Sequence, residues 1–142
     1  MKRNSRSARN AGFTFIEIMV VVSIIGLLMA LVGPRFIRQQ EKAEVKAAAA
    51  QIELLSTALD TFRLDVGRYP TTQEGLRALV EQPPGLTSWK SPYLKRALVN
   101  DPWGNTYIYR CPGQHNTDGY DLYSVGPDGQ EGSSDDITNW NP

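Results

Sequence analysis

The sequence has one cysteine and one histidine in 142 residues, and each scarcity excludes something. Cys111 alone closes no intrachain disulfide, so an ordered turn-rich region needs another tie. One thiol and one imidazole also leave little for nucleophilic catalysis. Net charge is lacking as well: 15 basic and 15 acidic side chains cancel, and nothing in the total points to nucleic acid or an acidic surface. There is no internal repeat, and no low-complexity tract beyond residues 47–50. The N-terminal half is poor in turn formers. Of 12 glycines and 9 prolines, 17 lie at or beyond Gly67, as do all six tyrosines and all three tryptophans. A chain of this length has room for one domain and a modest core.

What is present begins with charge placement. Lys2, Arg3, Arg6 and Arg9 precede an apolar run over residues 13–32 that holds one charge, Glu17. Removal of residues 1–12 would leave 11 basic and 15 acidic side chains. As a helix the run spans about 30 Å, the thickness of a hydrocarbon core. A cleaved secretory signal also starts this way. The run is longer than such a signal's core, however, and Leu31-Val32-Gly33-Pro34-Arg35 is a poor cleavage site, so an uncleaved anchor fits better. Arg35, Arg38, Lys42 and Lys46 follow the run, so basic flanks alone leave its orientation undecided.

Glu17 is expensive there. An acidic residue at mid-helix costs about 2.5–3.5 kcal/mol on insertion scales, and less near an end. One account sends the carboxylate to the headgroups. The other gives it a partner: cleavage between Gly12 and Phe13 would create an amine at Phe13, one helical turn away on the same face.

The stretch Gly12-Phe13-Thr14-Phe15-Ile16-Glu17, with its basic leader and apolar continuation, resembles the class III signal of type IV pilins and type II secretion pseudopilins. The resemblance implies cleavage after Gly12 by a prepilin peptidase and N-methylation of Phe13. It also gives Glu17 a role in aligning incoming subunits through a neighbour's Phe13 amine. It places the leader, residues 1–12, in the cytoplasm.

Beyond the run, Gly33-Pro34 predicts a kink or local melting. Val45, Ala48, Ile52, Leu55, Leu59, Phe62 and Val66 then recur at steps of three and four, an apolar stripe for packing on the chain's own domain. Gly67-Arg68-Tyr69-Pro70 ends the pattern. The expected organisation is a transmembrane helix half over 13–33, an amphipathic half over 34–66 and a globular part over 67–142. Heterologous, non-closing contacts between such stalks generate helical filaments.

Thr71-Thr72-Gln73-Glu74 reads as a capping box opening a short helix, with Leu76, Leu79 and Val80 buried before Pro83-Pro84. Asp101-Pro102-Trp103-Gly104-Asn105 reads as a turn with Trp103 packed beneath it, leading into Tyr107-Ile108-Tyr109. Residues 120–125 alternate as a strand. The loop that follows, residues 126–137, carries three aspartates and a glutamate among glycines. Such oxygens suit a hard cation, but the spacing is not that of an EF-hand, and on composition alone a solvated turn is the better reading.

Arg68-Tyr69-Pro70-Thr71-Thr72-Gln73-Glu74-Gly75-Leu76 and the Asp101 turn resemble stretches of the major pseudopilins of type II secretion. Ser124-Val125-Gly126-x-Asp128-Gly129 with Asp135-Asp136-Ile137-x-x-Trp140 is similar to their calcium loop. The resemblance implies calcium held by the side chains of Asp128, Asp135 and Asp136 and the carbonyls of Val125 and Gln130. A bound ion would do the work of the missing disulfide. The fold so implied is α+β and type IV pilin-like: a long N-terminal helix on a small domain with a short antiparallel sheet and the calcium loop.

The function implied is structural, not enzymatic. Subunits would wait in the inner membrane, globular part in the periplasm, and polymerise into a periplasmic pseudopilus with minor pseudopilins. An inner-membrane platform and its ATPase would drive assembly, helping folded proteins across the outer membrane. A type IV pilus pilin or a minor pseudopilin is the alternative; the absent Cys pair and the calcium-type loop disfavour the pilus pilin. An anchored enzyme using Cys111 and His115 is a further competitor, but no third group to orient the histidine is evident.

Overall fold

The computed structural model describes residues 12–90, 92–95 and 98–140, without the side chains of residues 33–37. Residues 1–11 of the expected leader lie outside the described residues. The chain divides into two units, Met1–Gln40 and Glu41–Pro142. The element order is one long helix, α1 (Phe15–Val66), a single 3₁₀ turn (Leu76–Leu79) and strands β1 (Ile108–Arg110), β2 (Asp121–Ser124) and β3 (Ile137–Thr138).

In the first unit, α1 contains one segment long and apolar enough to cross a membrane, Phe15–Val32, with mean hydropathy 2.8. All its side chains are exposed. Valine and isoleucine are modest helix formers in water, but a bilayer core satisfies no backbone group, so a helix that bonds internally is the stable solution there. The helix is assigned continuously through Gly33 and Pro34, so the melting expected at that pair is not a break in α1.

In the second unit, α1 contributes Ala48, Ile52, Leu55, Ala58, Leu59 and Phe62 as a buried stripe. Val45, expected on that stripe, is instead 43% exposed. The helix ends at Gly67, whose φ of 86° lies in the left-handed region that a Cβ disfavours. Its N–H donates to the Arg63 carbonyl at 2.7 Å, closing the last turn.

The sheet order is β1-β2-β3, antiparallel throughout. Tyr109 faces Leu122, and Ser124 faces Ile137. Leu76, Ala78, Leu79, Tyr107, Tyr109, Tyr120 and Leu122 complete the core around the α1 stripe. Aromatic hydroxyl and indole groups in this core find acceptors, as burial demands: Tyr109 Oη donates to the Pro70 carbonyl (2.7 Å) and Trp89 Nε1 to the Ala78 carbonyl (2.9 Å).

Two local expectations are revised. The Thr71–Glu74 box forms, with Thr71 N–H donating to Glu74 Oε2 (2.7 Å) and Glu74 N–H to Thr71 Oγ1 (3.2 Å). It leads into turns and one 3₁₀ turn, because Gly75 at φ 58°, ψ −166° redirects the backbone. The strand within residues 120–125 does not alternate: all four β2 residues are buried, since β2 is the central strand.

Candidate functional site

Two places carry the residues singled out by sequence. The first is the start of α1. Gly12 and Phe13 precede the helix and are exposed. Thr14 caps it: Glu17 N–H donates to Thr14 Oγ1 (3.3 Å), and Thr14 N–H donates to Glu17 Oε2 (3.4 Å). This is a reciprocal capping box with a carboxylate in the positive first turn. Thr14 was missed by sequence reasoning although Thr-x-x-Glu is a readable signal. Among the described residues Glu17 meets no cation, and it is the only charge in the segment Phe15–Val32.

The second place is the acidic loop after β2. Gly126 turns the chain at φ 66°, where a Cβ would lie 2.5 Å from the Asp135 carbonyl oxygen and 2.9 Å from its Oδ2. Only glycine lets the two ends of the loop approach this closely. Asp135 Oδ2 also accepts the Asp128 N–H (3.3 Å), and Asp128 Oδ1 accepts the Gln130 N–H (2.8 Å). The Ser133 hydroxyl lies within reach of all three aspartates: 3.4 Å from Asp128 Oδ1, 2.5 Å from Asp135 Oδ1 and 3.2 Å from Asp136 Oδ1. Asp136 Oδ2 accepts the Gly132 N–H at 2.8 Å. The Ser133 hydrogen bond, followed by the Asp128 amide, holds the Asp135 carboxyl below its ordinary value.

A hydroxyl has one hydrogen to give, and here three anionic oxygens surround it. As they stand, no three carboxyl-type side chains among the described residues form a cage around one point. Yet three aspartates near a single hydroxyl, closed by a glycine with no room for a Cβ, are the donor chemistry of a hard divalent cation. The residue types, though not their present arrangement, are those that calcium takes as ligands. Val125, buried, opens this loop and Gln130, exposed, lies in its middle.

The structure joins motifs that sequence treated separately. Asp101 Oδ1 accepts the N–H groups of Trp103 (3.1 Å) and Asn105 (2.7 Å), building the turn. Asp101 Oδ2 accepts Ser124 Oγ–H (2.6 Å), and Ser124 Oγ accepts the Gly126 N–H (3.1 Å). Asn105 Nδ2 donates to the Gly126 carbonyl at 3.0 Å. The turn is therefore fastened to the acidic loop through Asp101 and Asn105. Trp103, expected beneath it, is half-buried and not the anchor.

Glu131 ties the same loop to the sheet. Its Oε1 accepts Tyr123 Oη–H (2.6 Å), and Arg110 reaches both oxygens, at 2.7 and 3.1 Å. The Tyr123 bond and then Arg110 lower the Glu131 carboxyl, while burial and then Glu131 push the Tyr123 phenol up.

His115 does have an orienting group. Its Nδ1 lies 3.2 Å from Asp121 Oδ2, and its ring stacks on Trp140 with centroids 4.1 Å apart and planes at 5°. Asp121 was not anticipated. It is 2% exposed and accepts the N–H groups of Gln114 (2.7 Å), His115 (2.9 Å) and Asn116 (2.9 Å). Burial raises its carboxyl, but these bonds more than reverse that and leave it lowered. Cys111 Sγ approaches the Gly119 carbonyl (3.5 Å). These contacts tie a loop together.

A membrane-length apolar helix that continues into a stripe packed on a small three-stranded sheet is the architecture of pilin-like, membrane-anchored subunits. A family model described as "Type II secretion system (T2SS), protein G" matches residues 35–140, and the prokaryotic N-terminal methylation motif matches residues 7–33. The chain belongs to the type II secretion system protein G family, the major pseudopilins. It is 49% identical over 136 residues to the type II secretion system core protein G of Escherichia coli (strain K12), covering 93% of this chain and 92% of that one. Its identity to the Pseudomonas aeruginosa core protein G is 48% over 139 residues, covering 93% and 96%. The crystal structure of the major pseudopilin from enterohaemorrhagic Escherichia coli superposes with a TM-score of 0.61 at 39% identity, covering 73% of this chain and 92% of that one. The family is one of structural subunits, not enzymes. The major pseudopilin reading therefore stands over the pilus pilin, the minor pseudopilin and the anchored enzyme.

Proposed function

We propose that this chain is processed between Gly12 and Phe13 by a prepilin peptidase, N-methylated at Phe13, and polymerised from the inner membrane into a periplasmic pseudopilus. One observation carries the reading: the membrane-length segment has a single charge, Glu17, which sits beside the processing junction and meets no cation among the described residues. A new Phe13 amine on a neighbouring subunit supplies that cation and sets the stagger between copies. Minor pseudopilins, an inner-membrane platform and its ATPase are the expected partners. Glu17→Val removes the carboxylate while keeping the anchor. It is expected to insert, to be cleaved, and to give no filament by cross-linking of membranes. Filaments at wild-type yield would end the pairing role.

The acidic loop is the proposed calcium site, with Asp128, Asp135 and Asp136 as side-chain ligands and the Val125 and Gln130 carbonyls completing the shell. A calcium ion supplies two positive charges and accepts six to eight oxygens at about 2.3–2.6 Å. Gly126 keeps Asp135 close to the start of the loop, and Ser133 and the amides of Asp128, Gln130 and Gly132 hold the carboxylates in place. Thermal unfolding of the full chain in detergent, with calcium and with chelator, tests it. Ligand at about 100 times Kd stabilises by about 2.7 kcal/mol. The midpoint is expected to rise with calcium, and the rise to vanish in Asp128→Ala. No calcium response in the wild type returns the loop to an ordinary solvated turn.

A further inference from the structure

We propose that Arg110, Tyr123 and Glu131 form a clamp that sets the cation affinity of the acidic loop, with Glu131 a positioning residue and not a ligand. The inference rests on the calcium reading above and goes beyond its ligand set.

Glu131 is the fourth acid of the loop, and it behaves unlike the three aspartates. They gather on Ser133. Glu131 has both oxygens engaged elsewhere, one by the Tyr123 hydroxyl at 2.6 Å and both by the Arg110 guanidinium. Its partners are part of the sheet. Tyr123 is on central strand β2, 3% exposed and edge-on to Trp140 with centroids 5.3 Å apart. Arg110 ends β1, with its guanidinium 5.9 Å from the Tyr123 ring centre. Residues 127–132 are otherwise exposed, and the hydrogen bonds of Asp128, Gln130, Gly132 and Ser133 close within the loop. Among the described residues the clamp is thus the side-chain tie between the outer arc of the loop and the sheet.

Three carboxylates in one short loop repel one another until a cation offsets their charge. Fixing the loop's arc in advance removes part of the ordering cost of binding. Groups bonded directly to metal ligands typically change affinity by about 10–100-fold when removed; the clamp holds the arc that carries the ligands, so the low end of that range applies.

Arg110 separates positioning from plain electrostatics, because the two predict opposite signs. Removing a cation beside an acidic site strengthens calcium binding if charge alone matters. It weakens binding if the clamp matters. Calorimetric titration of the full chain in detergent micelles with calcium chloride reads this directly. Arg110→Leu, which keeps the aliphatic stem, is expected to bind about tenfold more weakly. Tyr123→Phe changes no charge, keeps the buried ring, and is expected to weaken binding in the same direction. It decides the matter if Arg110→Leu is unstable in chelator. Wild-type binding with equal or tighter binding by both variants overturns the clamp while leaving the calcium site standing. Absence of binding by the wild type overturns the site and the clamp together.

Discussion

Thr14–Glu17 and Thr71–Glu74 are the same four-residue device in two surroundings. In the second the threonine N–H reaches the carboxylate at 2.7 Å, and Arg68 adds two hydrogen bonds of 2.7 and 2.8 Å. In the first the equivalent bond is 3.4 Å and no cation joins it among the described residues. The second box sits against a folded core, with Leu76 and Leu79 buried just beyond it. The first opens a segment exposed along its whole length. A carboxylate that has its cation is a structural part. One that meets no cation among the described residues, in a segment where charge is costly, is the carboxylate for which a partner is proposed above.

The contrast is open to experiment. The largest effect is expected from Glu17→Gln, which keeps an oxygen for the Thr14 N–H but loses the charge. If the box were the reason for Glu17, this variant would assemble. Pairing with an amine requires the anion, so loss of filament comparable to Glu17→Val is expected, read by cross-linking and by secretion.

Next comes Glu74→Gln. Arg68, then the Thr71 contacts against an opposing burial effect, hold the Glu74 carboxyl at about 2, below its ordinary 4.5. A depressed value in the folded state stabilises above pH 4.5, and that stabilisation is lost as pH falls towards 2. Arg68 is well exposed, so the contribution is screened to about 1 kcal/mol. Denaturant titrations should show wild type ahead of the variant at pH 6 and level with it near pH 2. A gap that persists at pH 2 would remove the ionic part of the argument.

The loss of a cap is of similar size and does not depend on pH. Thr71→Ala is expected to cost about 1 kcal/mol in unfolding of the globular unit. Thr14→Ala, outside that unit, is expected to leave its unfolding unchanged. Equal costs for the two would erase the distinction between the boxes.

Much of this was legible in sequence, and unevenly. The α1 stripe, the membrane-length segment and the Thr71 box follow from spacing, because helix periodicity and capping are local. Val45 was misplaced because periodicity says which face a residue occupies, not where the domain beneath it ends. The alternation expected across β2 failed because Asp121 and Ser124 look like solvent-facing residues until their partners are known. Those partners are the amides of residues 114–116 and the carboxylate of Asp101, and only the tertiary fold delivers them. The three aspartates of the loop could be picked out from the chain, whereas Ser133 at their centre and Glu131 facing away could not. Both are typical loop residues whose roles depend on where their side chains point.

Asp121 has one more consequence. Its charge is met mainly by three backbone N–H groups and not by a mobile lysine or arginine. Ion pairs at a surface weaken as the screening length shrinks from about 8 Å at 0.15 M salt to about 3 Å at 1 M. Short hydrogen bonds to a buried carboxylate do not. The connection between β1 and β2 is therefore fastened in a way that dilute and concentrated media leave alike, while the Arg68–Glu74 fastening slackens with every increase in ionic strength.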